Sequence, residues 1–257
     1  MGVFSGITIA MLHLDHPPII EAIVEINCDM PPSVDLLSVE ESARQMFRDR
    51  YPKARRQFVE SHQFSVEPSE ASTRPPIGAL QFFAEDERQL VQVRSEGYSF
   101  NRLAPYSTLD AYLPEIERTW DLFNRLTHPL QIRRIALRYI NRLLLPTDEA
   151  GRLELNDFLR ISPRMPKEES LMLTAFLNQH TAVDLSTGNE VNITLASRPI
   201  ERRTAPMILD IGTANGETRV PNDWPGIRQV IGSLRQLKND IFEKALTEQC
   251  LNLYRAR

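Results

Sequence analysis

The chain reads as an α+β protein, an antiparallel sheet packed against three main helices. Three observations predict this. The stretch PLQIRRIALRYINRLLLP, 129–146, is one long strand bounded by prolines: even positions from 134 carry Arg134, Arg138 and Arg142, while odd positions are mostly apolar. Elements before it follow the order strand, helix, strand, hairpin strands, helix. After it come three strands and one long apolar stripe at helical spacing, through Ile227, Val230, Ile231, Leu234, Leu237, Ile241, Ala245 and Leu246.

The first strand is HPPIIEAIVEINCD, 16–29, with Ile20, Ala22, Val24, Ile26 and Cys28 on a dry face and Glu21, Glu25 and Asn27 on the other. Pro31 and Pro32 end it. Ser33 or Asp35 can cap a helix to about residue 50, whose apolar face is Leu36, Val39, Ala43, Met46 and Phe47. Residues 57–67 read as a strand and 68–76 as a loop. Two strands at 77–84 and 88–96 flank Glu85-Asp86-Glu87 and form a hairpin by spacing. Residues 97–106 read as a link. Ser107 or Thr108 starts a helix to about 126, with Leu109, Tyr112, Leu113, Ile116, Trp120 and Phe123 as its stripe. Pro114 falls inside this span; it would sit in the first turn, where proline is tolerated, if the helix began later.

Apart from one extra strand, this order is β-α-β-β-α-β, the ferredoxin-like arrangement. Its last strand lies antiparallel beside its first, so Glu21 and Glu25 are expected opposite Arg134, Arg138 and Arg142. In the second half, 153–161 reads as a short helix and 163–169 as a loop. Strands are expected at 171–185, 190–197 and 206–213, with turns at Ser186-Thr187-Gly188-Asn189 and Asn215-Gly216 and with Arg198, Arg202 and Arg203 on a connection between them. A last helix is expected at 225–252. The predicted organisation is an N-terminal extension at 1–16, a ferredoxin-like half at 17–146, and a meander with the C-terminal helix at 147–257, hinged near Gly151. The sheet is expected either as two ferredoxin-like halves or as one curved sheet gripping the C-terminal helix. Ile20, Val24, Ile26, Ile135, Leu137, Ile193, Leu195, Ile231, Leu234 and Ile241 are expected to be buried.

Composition bounds the function. The 257 residues are 42% hydrophobic and 25% charged, the balance of a soluble globular protein, and the formal net charge of −4 argues against a generally basic nucleic-acid binder. Cys28 and Cys250 show no ligand spacing and are expected as free buried thiols in a reducing cytoplasm. No apolar run reaches the length of a membrane helix, and no signal peptide is read in the first residues, where Met11 is an alternative start. Of His13, His16, His62, His128 and His180, only the first two are close in sequence, so no metal site is expected. The GTANGE run, 212–217, fits a hairpin turn better than a dinucleotide site. His128 reads as a helix-ending residue, and no catalytic motif or cofactor site is recognised.

The arginine ladder is the constellation to test. One reading is structural: carboxylates pair with it and its stems cover apolar surface. The other makes it a ligand face, with Arg102, Tyr106, Arg134, Arg138, Tyr139, Asn141 and Arg142 meeting an anion, since arginine forks suit carboxylate and phosphate. Tyr98, Phe100 and Tyr106 would then stack on nucleobases.

Three blocks, PPIIEAIVEI at 17–26, YSFNRLAPY at 98–106 and IRRIALRYINRLLLP at 132–146, resemble a sporadically distributed, uncharacterised family of prokaryotic proteins of similar length. The resemblance implies no assigned activity or catalytic residue; the sporadic distribution implies mobile-element or defence-associated genes. Three functions follow as expectations. The first is a non-enzymatic interaction or accessory factor, of antitoxin-like type or a homodimer, whose partner is a protein or a second copy. The second is an RNA- or nucleotide-binding module using the arginine face. The third is a nuclease or phosphate-ester hydrolase whose site is assembled from distant residues.

Overall fold

The computed structural model describes residues 14–58, 76–164, 166, 171, 173–216 and 220–255. The elements run β1 (Ile19–Asp29), α1 (Leu36–Phe47), β2 (Lys53–Phe58), β3 (Ile77–Phe83), β4 (Gln89–Arg94), β5 (Gly97–Leu103) and α2 (Leu109–Thr127). Then follow β6 (Gln131–Pro146), α3 (Leu155–Phe158), β7 (Leu177–Val183), β8 (Glu190–Ser197), β9 (Thr204–Ala214), α4 (Trp224–Ala245) and α5 (Glu248–Asn252). Among the described residues nine strands form one continuous antiparallel sheet in the order β2-β3-β4-β5-β1-β6-β9-β8-β7. The α+β class is as predicted, the one-sheet arrangement is the one found of the two expected, and β6 lies antiparallel beside β1, with Val24 opposite Leu137. No helix is long and apolar enough to cross a membrane, among the described residues.

Alternation along the strands divides the sheet into two faces. One buries Val24, Ile26, Leu80, Phe82, Val91, Val93, Tyr98, Phe100, Ile135 and Leu137 beneath α1, α2 and α4. Farther along, Leu143, Leu145, Leu195, Leu209 and Ile211 are buried with α3, α5 and the end of α4. β6 is the one strand described in both clusters together with direct bonds to β1 and β9, so it ties the two apolar layers to one backbone. Among the described residues the other face is bare of helices, and it is mostly polar.

Local sequence explains most of the helices. The Ser38 hydroxyl accepts from the Asp35 N–H and donates to the Asp35 carbonyl, closing the first turn of α1. Thr108 caps α2 by accepting from Ala111 N–H at 3.3 Å. The helix begins after Thr108, one of the two expected starts, so Pro114 lies inside α2 and not in its first turn. A proline inside a helix costs about 3 kcal/mol. Burial of Leu113, Ile116, Trp120 and Phe123 on the same helix, each contributing about 1.5–3 kcal/mol, outweighs it. His128 ends the helix in the left-handed region at φ 46° and donates its backbone N–H to Asn124.

Several expectations need correction. The link at 97–106 is largely a strand, β5, and it occupies the place beside β1. Ser95-Glu96 turns β4 into β5, and Gly97 sits at φ +135° where a Cβ would lie 2.2 Å from the Ile26 carbonyl oxygen, so only glycine lets β5 enter this close to β1. The strand expected at 57–67 begins at Lys53, and residues 59–67 lie outside the described set, as do residues 1–13 of the expected extension. Ile20 is 37% exposed because the register shift between Ile19 and Glu21 interrupts alternation there; Ile193 and Ile241 are only partly buried. The strand expected at 171–185 is the shorter β7. The last helix is broken at Leu246-Thr247, where Leu246 bridges Leu159 and Thr247 caps α5. Residues 212–214 of GTANGE belong to β9, which leads to α4 and not to a returning strand; Asn215 accepts from Ile135 N–H at 2.6 Å.

Candidate functional site: the bare face of the sheet

The bare face is built from the polar half of each strand's alternation. On one side a relay of amides and hydroxyls crosses five strands. Gln81 donates to Gln57 at 3.2 Å and to Gln92 at 3.0 Å; Gln92 donates to Ser99 and Asn101; Asn101 donates to Glu21 at 2.8 Å. Ser99 and Asn101 are buried although polar, which the relay makes affordable because each finds a partner.

Charged groups follow along β1, β6 and β9. Arg94 donates to Glu25 at 2.6 Å. Arg138 grips Asp210 through both ends of its fork, at 2.9, 3.0 and 2.5 Å. That bond, with the nearby Glu25 and Glu21 carboxylates adding, holds the guanidinium above its ordinary range. Arg134 donates to Glu190 at 2.7 Å and Arg142 to Glu201 at 3.3 Å. Arg133, on the opposite face, pairs with Asp29. The expected partners Glu21 and Glu25 are thus replaced by Asp210, Glu190 and Glu201. β1 is beside β6 as foreseen, but register puts Glu25 opposite Ala136 and Glu21 opposite Ile140, while Arg138 faces Ile23.

A depression of about 250 Å³ lies over β6, β9 and β8, lined by Glu25, Arg134, Arg138, Asn192, Thr194 and Asp210. It exists because Ala136 and Gly212 put almost no side chain between the two arginines and Asn192. Its charges cancel pairwise, and among the described residues it holds no nucleophile paired with a base. Among the described residues no group of three or more His, Cys, Asp or Glu is placed to hold a metal ion.

The seven residues expected to share a ligand face are divided between the two faces. Arg134, Arg138 and Arg142 lie on the bare one. Tyr139 and Asn141, at odd positions of β6, lie on the helix-covered one; so do Arg102, stacked 5.3 Å from the Tyr112 ring, and Tyr106. Asn141 is 2% exposed and donates to the Leu209 and Tyr139 carbonyls. Tyr98 and Phe100, expected as stacking platforms, are fully packed in the core. One period-2 strand cannot put odd and even side chains on one surface.

The covered face holds its own polar cluster. The Tyr106 and Tyr139 hydroxyls meet at 2.7 Å, and Lys238 from α4 lies 4.1 Å from the Tyr139 ring centroid. Lys238 is 8% exposed, and no carboxylate among the described residues is within ion-pair distance. Burial, with Arg235 adding, pushes its ammonium down to about 8. Arg235 itself pairs with Asp110 at 2.8 Å, joining α4 to α2. Lys238 was not singled out from the sequence. Its signal is its helical register with Leu234, Ile231 and Ile227, which puts a cation on the apolar stripe.

No protein-family model matches the chain, and no curated protein is similar to it in sequence.

Proposed function

We propose that this chain is a non-enzymatic interaction protein, an accessory factor that receives a protein partner on its sheet. The observation that carries the reading is the bare face: many strands wide, polar, and with its carboxylates and guanidinium groups already paired with each other. A surface of balanced, satisfied charges suits the mixed chemistry of a protein partner, with rim pairs setting orientation. A phosphate backbone needs unpaired cations, and the forks of Arg134, Arg138 and Arg142 each already hold a carboxylate. The third expectation, an enzyme with a distributed site, gains no support from the Arg138–Asp210 depression, which lacks an acid–base pair set apart from its neighbours.

The test is purification of tagged protein from its host at low salt, in parallel with Thr194→Arg and with Asn192→Arg. A stoichiometric protein that accompanies the wild type and is lost with either variant is the expected result. Nucleic acid released by moderate salt, with no protein at stoichiometry, overturns the reading in favour of the arginine-face alternative.

A further inference from the structure

We infer that β7 is the receiving edge for an extended acidic segment of a protein partner, which joins the sheet as an added strand with its carboxylates in the cleft beside β7. This rests on the interaction reading above and names where and by what chemistry a partner attaches.

The first argument is backbone. Among the described residues β7 ends the sheet and pairs with β8 alone. In an antiparallel ladder only alternate residues bond to a given neighbour. Ser197 N–H donates to the Phe176 carbonyl and Asp184 N–H to the Asn189 carbonyl. Those two rungs fix the even residues of β7 as the ones bonded to β8. The N–H and C=O groups of Leu177, Gln179, Thr181 and Val183 therefore point away from the sheet. The strand, LNQHTAV, carries no lysine, arginine, proline or bulge, the devices that usually protect an edge.

The second argument is charge. Beside β7, on the helix side, is a cleft of about 790 Å³ lined in part by Asn156, Arg160, Ser162, Arg164, Asn178 and His180. Among the described residues no aspartate or glutamate lines it. Among the described residues no carboxylate is within ion-pair distance of Arg160 or Arg164, in contrast to every arginine of the β6 ladder. Asn178 and His180 are even residues of β7, paired with Leu195 and Ile193, so their side chains flank the same cleft. An added strand would direct every second side chain toward Arg160, Arg164 and His180. Acidic residues satisfy those positions. The intervening residues would face Leu177 and Val183, 72% and 56% exposed on the bare side, where apolar or β-branched residues fit.

A second copy of this chain fits less well. Antiparallel self-pairing centred on His180 would bring both Arg160–Arg164 clefts together with no carboxylate between them.

The experiment uses the full chain and a fluorescently labelled, blocked nonapeptide alternating valine and glutamate, read by anisotropy. Saturable binding is expected, weakened about tenfold or more by Arg160→Glu with Arg164→Glu, since charge-assisted bonds are lost and repulsion replaces them. Thr181→Pro removes an outward N–H without touching the β8 ladder and is expected to weaken binding about tenfold at unchanged melting temperature. If that variant is destabilised, Gln179→Pro gives the same test from the next outward position. Equal binding of a valine–lysine peptide, or no loss in the arginine double variant or in a folded proline variant, overturns the proposal. So does a dimer in sedimentation that Thr181→Pro dissociates, because the edge then belongs to a second copy. A host partner that still accompanies Thr181→Pro sinks this site and leaves the interaction reading standing; absence of any partner sinks that reading itself.

Discussion

The two faces of β6 obey different energetics although they share one backbone. On the covered face Ile135, Leu137 and Leu143 are sealed from water, and each polar side chain there is an exception that must be satisfied. On the bare face Arg138 and Arg142 are half exposed, so water reaches both guanidinium groups, although Asp210 is largely covered and only Glu201 stands out in solvent. A residue's worth is therefore set by the parity of its position more than by its charge.

The largest test of this contrast is cavity formation. Ile135→Ala on the covered face is expected to cost about 3–4 kcal/mol, read by urea denaturation, because a large side chain is removed from a layer that can relax little. A loss under 1 kcal/mol would mean that the layer is loosely packed. The sharpest exception is Lys238. Its folded-state value is depressed, so the cost of burying the ammonium is fully present below pH 8 and is relieved as pH rises from 8 toward 10.5, where the unfolded chain still holds the proton. Lys238→Met is thus expected to stabilise the protein by about 2 kcal/mol at pH 7 and to abolish the rise in stability between pH 8 and 9. Above pH 9 the buried thiols of Cys28 and Cys250, pushed up to about 12, act oppositely, since the unfolded chain ionises first; both proteins should lose stability there. Failure of Lys238→Met to stabilise would show that the contact with the Tyr139 ring outweighs desolvation.

Asn141→Leu is expected to cost about 1–2 kcal/mol, because the amide's bonds to two strand carbonyls are lost in a dry layer. Arg138→Ala, at the bidentate pair, is expected to cost at most about 1 kcal/mol, falling further in salt. Arg142→Ala, at the long and exposed Glu201 contact, should stay within about 0.5 kcal/mol. Reversal of the order between Asn141 and Arg138 would break the comparison.

The parity of β6 was legible from its residues, and so were the dry faces of β1 and the stripes of α2 and α4. β5 was not, although Tyr98 and Phe100 alternate with Ser99 and Asn101: its turn from β4 is Ser95-Glu96, without the Asn-Gly or Asp-Gly that marks a tight hairpin, and Gly97 and Pro105 frame it like a loop. The partners of the arginine ladder were also out of reach. Asp210 and Glu190 are distant in the chain and arrive through β9 and β8, so their choice depends on which strand takes the free side of β6. The expected ligand face draws mainly on one sequence block, and consecutive residues in it such as Arg138 and Tyr139 face opposite ways, so the block cannot form one surface.

The seam between β6 and β9 has a practical consequence. It runs from Ala136 opposite Ala214 to Pro146 opposite Thr204, while the segment that links the halves passes through exposed Asp148, Glu149 and Gly151. A protease that nicks this segment would cut the polypeptide without dividing the particle. The two fragments should migrate together under native conditions and part only in denaturant, and, expressed separately, they offer a natural pair for split-protein complementation.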